Sequence, residues 1–599
     1  MTHLLAPLLL AFLPQTAAPA QTGSHAALHP PACDVYFELP DLAGMWKAYE
    51  QAPVVELVKD ERLKGLIEAL GAKIDPSPKG LTRMALERAM PGADVGAWLD
   101  SLKTVSVSFT AGGATGEDAP PFTAFLVAEL ADPAQAEAIK TAALAKSKHE
   151  PIAGAVPGVE RLVLGDDPDR NPWIAVVGPR LVMGLGGAKV EDYVARADKK
   201  APGYALKPPS AFGPANGATI FWFSLGRSLL EIAKSIDPDS AKGNFLADLP
   251  ADMQPFGGPR VARMQMVGKR FVTEMFGAST DTPAKVDPAW LGPAPSGAMF
   301  VFTTALDGAG IAKLLRAKLA TDESSAASLT AIEQKLGFGP ERVLAHLGPA
   351  LTIYAMPLSA LGLPELRIWV DCDDPAAFQS DLEALVGAFA EAQPGLAIKA
   401  RPYKVKSATS DEKTEVPVAT LTLPQTVQLP PMVSVSPSFA PVGKRLVFAL
   451  NSMEVKNELK RVYGGEGEPI DSGKNPLTAN GFALPEGASS ALVMDWGKLL
   501  AGVLNIGKSF ASMSPDMLPF DPAKLPPGEI FTDHFKPTFY YSKPVSGGMY
   551  RRNEASFGAE SWLGIVGTFV GAAALRPSGG MAPVQIDTAP EPAPQGSGG

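Results

Sequence analysis

Internal repetition is the feature that most constrains how this chain folds. The segment Val177–Met183 is matched by Val442–Phe448 at an offset of 265 residues. Three further landmarks recur in the same order, at offsets of 266, 271 and 242: Asp41 with Asp307, Gly226 with Gly497, and Asp132-Pro133 with Asp374-Pro375. Four ordered landmarks with varying offsets indicate two copies of one unit whose loops differ in length.

Each landmark has a structural reading. Val35, Phe37 and Leu39 alternate with polar residues, which predicts a strand with one buried face. An aspartate comes after each such strand, at the position expected for the N-cap of a helix. These aspartates are Asp41, Asp132, Asp307 and Asp374. The motif Val-Gly-X-Arg occurs at Val177, Val267 and Val442 between apolar runs. Glycine at the first central position predicts hairpins with two-residue type II′ turns.

These elements predict an α+β fold of two tandem pseudo-repeats, each a largely antiparallel sheet with helices packed on one face. We assign residues 31–285 to the first repeat and 286–575 to the second. Residues 21–30 are predicted to be a flexible start. Residues 576–599, rich in proline and glycine, are predicted to be a disordered tail.

The first twenty residues are typical of a secretion signal. Leu4 to Leu13 is a short apolar run, and Ala18-Pro19-Ala20 places cleavage before Gln21, although the segment before the run has no lysine or arginine. We therefore predict export to the periplasm, the cell envelope or the extracellular space. The two cysteines, Cys33 and Cys372, could pair in such a compartment, and the sequence leaves this open.

Charge and composition narrow the function further. The net charge is −10, and no basic cluster is evident, so nucleic-acid binding lacks its main driving force. The apolar fraction of 46% indicates a folded globular chain. The stretch Trp562–Leu575 is apolar with glycines four apart, but it is shorter than a bilayer crossing. We interpret it as a buried closing helix, with a weak membrane contact as the alternative.

Metal sites and phosphate loops have little support in the sequence. The histidines of the mature chain are His25, His29, His149, His346 and His534. His25 and His29 lie four residues apart, but they fall in the start predicted to be flexible, beside Pro30 and Pro31, and not on a zinc-binding helix. Asp167–Asn171 resembles the start of a calcium loop, but Pro172 and Gly178 stand where glycine and glutamate are required. Gly184–Lys189 lacks the complete phosphate-binding motif, and its counterpart in the second copy keeps neither its glycines nor its lysine. We interpret Asn451 or Ser452 there as a helix cap.

One carboxylate cluster remains. Asp371, Asp373 and Asp374 surround Cys372 at a strand end, and paired carboxylates can act as acid and base. The first copy has Glu129, Ala131 and Asp132 at these places, so we explain the recurring aspartate as a cap. We predict no catalytic, cofactor-binding or metal-ligating residue.

Two segments carry a resemblance to known proteins. They are Phe338–Glu341 continuing through Leu347–Pro357, and Val286–Pro295 before an apolar strand. The chain resembles a group of large exported bacterial proteins that carry domains of unknown function. The resemblance implies export and a repeated fold, and it assigns no functional residue.

Three functions stay open at this point. The first is a non-enzymatic binding or scaffold module of the cell envelope, with a protein or an apolar small molecule as partner. The second is a carrier of an apolar ligand or lipid, which requires a large dry cavity or an exposed apolar patch. The third is a hydrolase that uses an unrecognised carboxylate site.

Overall fold

Twenty antiparallel strands lie in the part of the chain that the structure describes. In the computed structural model the described residues are 25–69, 79–80, 83, 87, 94–111, 122–145, 148–152, 158–163, 172–215, 217–227, 231, 259–279, 283–319, 323–358, 365–392, 395–408, 412–423, 436–470, 473–513 and 524–558. The described residues up to Ser556 belong to one compact unit. The predicted signal (1–20), the calcium-like segment, Trp562–Leu575 and the tail (576–599) lie outside the described residues.

The first ten strands are β1 (Val35–Leu39), β2 (Leu102–Ala111), β3 (Phe122–Leu130), β4 (Lys148–Pro151), β5 (Glu160–Val163), β6 (Trp173–Val177), β7 (Arg180–Gly186), β8 (Ala218–Leu225), β9 (Arg260–Val267) and β10 (Arg270–Ala278). The other ten are β11 (Phe300–Ala305), β12 (Leu347–Ala355), β13 (Leu366–Cys372), β14 (Ala397–Lys406), β15 (Lys413–Thr422), β16 (Ser438–Val442), β17 (Arg445–Ala449), β18 (Ser490–Met494), β19 (Thr538–Val545) and β20 (Gly548–Ala555).

The strands pair into one sheet whose order is symmetric about its centre. Across the sheet it reads β4–β5–β6–β7–β3–β2–β1–β8–β9–β10, then β20–β19–β18–β11–β12–β13–β17–β16–β15–β14. Counted outward from the β10–β20 pair, every strand on one side has its counterpart ten strands later in the chain on the other side.

The three predicted hairpins are present. Val177 pairs with Arg180, Val267 with Arg270, and Val442 with Arg445, so each turn has two residues. The first turn residue has φ of 60° at Gly178, 61° at Gly268 and 59° at Gly443. The second turn residue is not among the described residues with positive φ. This pattern is that of a type II′ turn, which only glycine adopts there without strain.

Fourteen α-helices lie in the described part of the chain. In the first half they are α1 (Leu42–Tyr49), α2 (Pro53–Val58), α3 (Glu61–Ala69), α4 (Val95–Ser101), α5 (Pro133–Leu144) and α6 (Val190–Ala197). In the second half they are α7 (Gly308–Leu319), α8 (Glu323–Leu336), α9 (Pro340–Ala345), α10 (Pro375–Ala392), α11 (Ser452–Gly464), α12 (Pro476–Ala479), α13 (Trp496–Met513) and α14 (Glu529–His534).

The predicted aspartate caps are confirmed at all four positions. Asp41 accepts a hydrogen bond from the Gly44 amide at 3.2 Å, and Asp132 accepts one from Ala134 at 2.9 Å. In the second half Asp307 and Asp374 accept from Gly310 and Ala377, both at 3.0 Å. Asn451 caps α11 in the same way, through the Glu454 amide at 3.0 Å.

Helices cover both faces of the sheet, so the prediction of helices on one face was wrong. Adjacent strand residues point to opposite faces, and on β7 Leu181 packs in a core with α1, α4 and α5. Its neighbour Val182 packs in a separate core with α6 and the 3₁₀ helix His25–Leu28. On β17, Leu446 packs in a core with α10, and its neighbour Val447 packs in a separate core with α11. The prediction failed because α6 and α11 follow hairpins and fold back under the sheet.

The start of the described chain is also more ordered than predicted. Within the segment 21–30, His25–Leu28 forms a 3₁₀ helix, and His25 and His29 are buried. Residues 21–24 lie outside the described part. The burial of two histidines needs polar partners, and these come from strands far along the chain, which a local reading of composition cannot detect.

Candidate functional site

Two cavities border strand β13 in the second half of the chain. The first, of about 310 Å³, is lined almost entirely by apolar side chains: Leu366, Ile368, Leu382, Val386, Ile398, Leu421, Pro437, Ser438, Phe439, Phe448, Ala449 and Leu450. The second, of about 550 Å³, is lined by Pro349, Trp369, Asp371, Cys372, Asp373, Val442, Lys444, Arg445, Val462 and Ile470. Because side chains along β13 point alternately to opposite faces of the sheet, Leu366 and Ile368 line one cavity, and Trp369 and Asp371 line the other.

The apolar cavity lies between α10 and the strands beneath it. Leu382 and Val386 are four residues apart on α10, so both face the sheet. Phe439 and Phe448 form its floor, with ring centroids 5.3 Å apart. Leu366, Ile368, Leu382, Ile398, Leu421 and Phe448 are each only partly buried. Apolar side chains that border an unfilled space can bind an apolar molecule and exclude water from it.

The polar cavity holds both signs of charge. Arg445 Nε donates to Asp371 Oδ1 at 3.1 Å, while Asp373 and Lys444 are exposed at its rim. Burial raises the pKa of the Cys372 thiol to about 11, helped by the nearby carboxylates of Asp373 and Asp374. The thiol is therefore protonated at neutral pH and is a poor nucleophile. Both Cys33 and Cys372 are free and buried.

The carboxylates that are clustered in the sequence around Cys372 have separate roles in the structure. Asp371 pairs with Arg445, and Asp374 caps α10. His346 does not join them through its ring, because its Nε2 lies 2.9 Å from Asp381 Oδ2. The Arg342 guanidinium also donates to Asp381 at 2.8 Å. The structure thus brings Asp371 and Asp373 to one cavity and directs the imidazole elsewhere.

His534 and His149 lie apart from this cluster. His534 Nε2 lies 2.9 Å from Asp60 Oδ2, and His149 lies on the exposed strand β4. Among the described residues, no group of three or more histidine, cysteine, aspartate or glutamate side chains is arranged to hold a metal ion. No helix in the described ranges is both long and apolar enough to cross a bilayer.

Two of the three glycines in Gly184–Lys189 have a packing role. A Cβ on Gly184 would lie 2.3 Å from the Trp173 ring, which covers that position from the neighbouring strand. Gly186 has φ of 67°, and a Cβ there would lie 2.2 Å from the Phe122 carbonyl oxygen. Close approach and positive φ therefore explain both glycines without a phosphate ligand.

A buried polar network in the first half was missed by the sequence reading. His29 Nδ1 and Nε2 lie 2.7 Å from Ser108 and 2.8 Å from Ser106. His25 Nε2 lies 3.1 Å from Glu129 Oε2, and its Nδ1 lies 3.2 Å from Ser106. Burial lowers the pKa of both histidines, and that of His29 well below its usual value. The available signal was the row of hydroxyl side chains on one face of β2, at Thr104, Ser106, Ser108 and Thr110, opposite the apolar face formed by Val105, Val107 and Phe109.

Comparison with known proteins adds little to this picture. No protein-family model and no curated protein matches the chain. Two crystal forms of TP0453, I and III, align with it at 10% identity and TM-scores of 0.23 and 0.24. Each alignment covers 45% of this chain and 83% or 84% of the other. At these scores the likeness supports no statement about fold or function.

Proposed function

We propose that this chain is an exported, non-enzymatic binding protein, built by tandem duplication, whose second copy holds an apolar ligand under α10. The duplication has support beyond the sequence landmarks. The strand order is the same on both sides of the β10–β20 pair. Arg196 Nε donates to the Leu28 carbonyl at 2.8 Å, and Arg461 Nη2 donates to the Pro293 carbonyl at 2.6 Å. Both arginines lie near the end of a helix that follows a hairpin, 265 residues apart.

The two copies differ where the apolar cavity lies. Helix α10 has 18 residues and its counterpart α5 has 12. Strands β14 and β15 have 10 residues each, against 4 each in β4 and β5. Under α5, the side chains of one core include Ile139, Leu144, Leu162, Ile174 and Met183. On this account residues 31–285 are the scaffold copy and residues 286–575 are the ligand-binding copy.

The apolar cavity is the observation that carries the proposal. Its volume of about 310 Å³ falls at the lower end of the range for small-molecule sites, roughly 300–1,000 Å³. That size suits one hydrocarbon chain or one small ring system. The favourable term is the removal of apolar surface from water, worth roughly 25 cal/mol per Å². A carrier of apolar molecules fits an exported protein, because such ligands need a protected route through water.

A hydrolytic role has weaker support. Asp371 is engaged in an ion pair with Arg445, and Asp374 caps α10. The third acid of this group, Asp373, is exposed. The nearby thiol is protonated at neutral pH because burial raises its pKa. We therefore propose binding as the function, and the predicted signal at residues 1–20 supports export to the periplasm, the cell envelope or the extracellular space.

A fluorescent apolar probe tests this function. N-phenyl-1-naphthylamine becomes bright when it leaves water, so titration of the full chain should give a saturable signal with one site. Leu382→Trp fills the cavity from α10 and should weaken probe binding by at least tenfold. Val503→Trp is the matched control, since it adds the same side chain at a position that is 53% exposed on α13. Absence of saturable binding, or equal binding by Leu382→Trp, would refute the proposal.

A further inference from the structure

A carboxylate–arginine ion pair occurs at equivalent places in the two halves of the sheet. Glu129 and Arg180 are direct partners across β3 and β7, and Asp371 and Arg445 are direct partners across β13 and β17. In both pairs the arginine follows the glycine turn, and its Nε lies 3.1 Å from the carboxylate oxygen. The two sites therefore begin from the same local geometry.

In the first half the chain itself adds a third member. His25, which is 4% exposed, inserts its ring so that Nε2 lies 3.1 Å from Glu129 and Nδ1 lies 3.2 Å from Ser106. The hydrogen bond and charge of Glu129 favour a protonated ring, although burial dominates and lowers the pKa of His25. A nitrogen-bearing group thus completes this carboxylate–arginine pair.

In the second half the same pair borders open space. The cavity of about 550 Å³ lies beside Asp371 and Arg445, and no histidine is among the described residues that line it. Asp371 uses Oδ1 for Arg445, and an ionised carboxylate has further acceptor capacity on its two oxygens. Lys444, next to Arg445, offers a cation at the rim, and Asp373 offers a second anion.

We infer that this polar cavity binds a small zwitterion of the free amino-acid class. Its ammonium group donates to Asp371 at the place equivalent to the one where the His25 ring contacts Glu129, and its anionic group meets Lys444. Walls that carry two acids and two bases match a ligand with both charges better than a ligand with one, because each ligand charge then has an opposite partner. The site is separate from the apolar cavity and does not depend on it.

Calorimetric titration of the full chain with each standard amino acid tests the inference. At least one should bind with a dissociation constant in the millimolar range or below. For that amino acid, Asp371→Asn and Lys444→Ala should each weaken binding at least tenfold, since each removes a charged partner. Glu129→Gln and Leu382→Trp are controls and should bind as the wild type does. If no amino acid binds, or if Asp371→Asn binds normally, the inference is wrong.

The first half allows a second, independent test. His25→Gly should leave a ring-sized space beside Glu129, and added imidazole should raise the melting temperature of this variant more than that of the wild type. Equal effects of imidazole on both proteins would show that His25 does not occupy a ligand-like position, and the analogy between the two sites would fail. The outcome for the apolar probe is measured separately, so the two proposals can fail independently.

Discussion

Glu274 and Arg552 are direct cross-strand partners in the pairing that joins β10 to β20, with Arg552 Nη1 3.8 Å from Glu274 Oε1. Glu274 also accepts hydrogen bonds from Gln265 at 3.0 Å, from the Tyr550 hydroxyl at 2.8 Å, and from Arg263. Glu274 and Arg263 are 1% and 5% exposed. This cluster lies at the centre of the strand order, where the two halves of the sheet meet.

Removal of the Glu274 carboxylate should be costly. Glu274→Ala leaves the Arg263 guanidinium buried without its anionic partner, and breaking a buried pair in this way costs about 3–5 kcal/mol. We expect a large fall in the urea midpoint of unfolding. Glu415→Ala is the control, because Glu415 is 54% exposed and its pair with Lys404 should contribute at most about 1 kcal/mol. Similar midpoints for the two variants would contradict the role assigned to the cluster.

Acidification should destabilise the fold through the buried histidines. Burial holds the pKa of His29 well below its usual value, with His25 and Arg196 adding to the effect, and Ser106, Ser108 and Tyr36 also contact its ring. In the unfolded chain the pKa returns to about 6.5, so the unfolded state binds more protons below that pH. His29 therefore contributes full stability above about pH 6.5 and loses it as the pH falls.

The measurement is the melting temperature as a function of pH. Between about pH 7.5 and pH 5.5 it should fall more in the wild type than in His29→Gln, which cannot take up the proton. His25 shifts in the same direction, so the double variant His25→Gln/His29→Gln should show the flattest profile. A wild type and double variant with parallel profiles would mean that these histidines do not govern the acid sensitivity.

Gly184 should not tolerate a side chain. Trp173 lies where the Cβ of Gly184→Ala would be, and its indole Nε1 donates to the Ala188 carbonyl at 2.7 Å, so the ring cannot move freely. Overpacking of this kind costs about 1–3 kcal/mol. Gly65→Ala, on the exposed side of α3 with no atom within 4 Å, should instead stabilise by about 0.5–1 kcal/mol. Thermal unfolding of both variants measures these opposite signs, and a neutral Gly184→Ala would refute the packing explanation.

The two buried arginines should act locally and in parallel. Arg196→Met removes the donor to the Leu28 carbonyl, and Arg461→Met removes the donor to the Pro293 carbonyl. By hydrogen exchange, the first variant should lose protection around residues 25–33 and the second around residues 286–295. Each leaves the other segment unchanged, because the two contacts lie in different halves of the sheet. Loss of protection in both segments from either change would contradict independent, equivalent units.

Local signals predicted much of the fold. The caps at Asp41, Asp132, Asp307 and Asp374, and the glycine turns, depend on residues within a few positions, so their sequence patterns are sufficient. The cover on the second face of the sheet was not predicted, because it depends on which way α6 and α11 fold back after their hairpins. That choice is set by distant contacts, such as those of Arg196 and Arg461.

The candidate site was harder to predict than the fold. Fewer residues separate Asp132 from Val177 than separate Asp374 from Val442, and this difference indicated a longer connecting segment in the second copy. The sequence could not indicate that this extra length extends α10, β14 and β15 and leaves a cavity under α10. A cavity is a property of packing, and Leu382 or Ile398 would look the same in a filled core.

Native mass spectrometry of the chain purified from its own host tests the central claim most directly. The account predicts that the wild type and Lys444→Ala carry an apolar molecule at up to one per chain, and that organic extraction removes it. Leu382→Trp, folded to the same melting temperature within a few degrees, should carry none. An apolar molecule bound equally by Leu382→Trp, or a wild type that neither carries nor takes up such a molecule, would contradict an apolar binding site beneath α10.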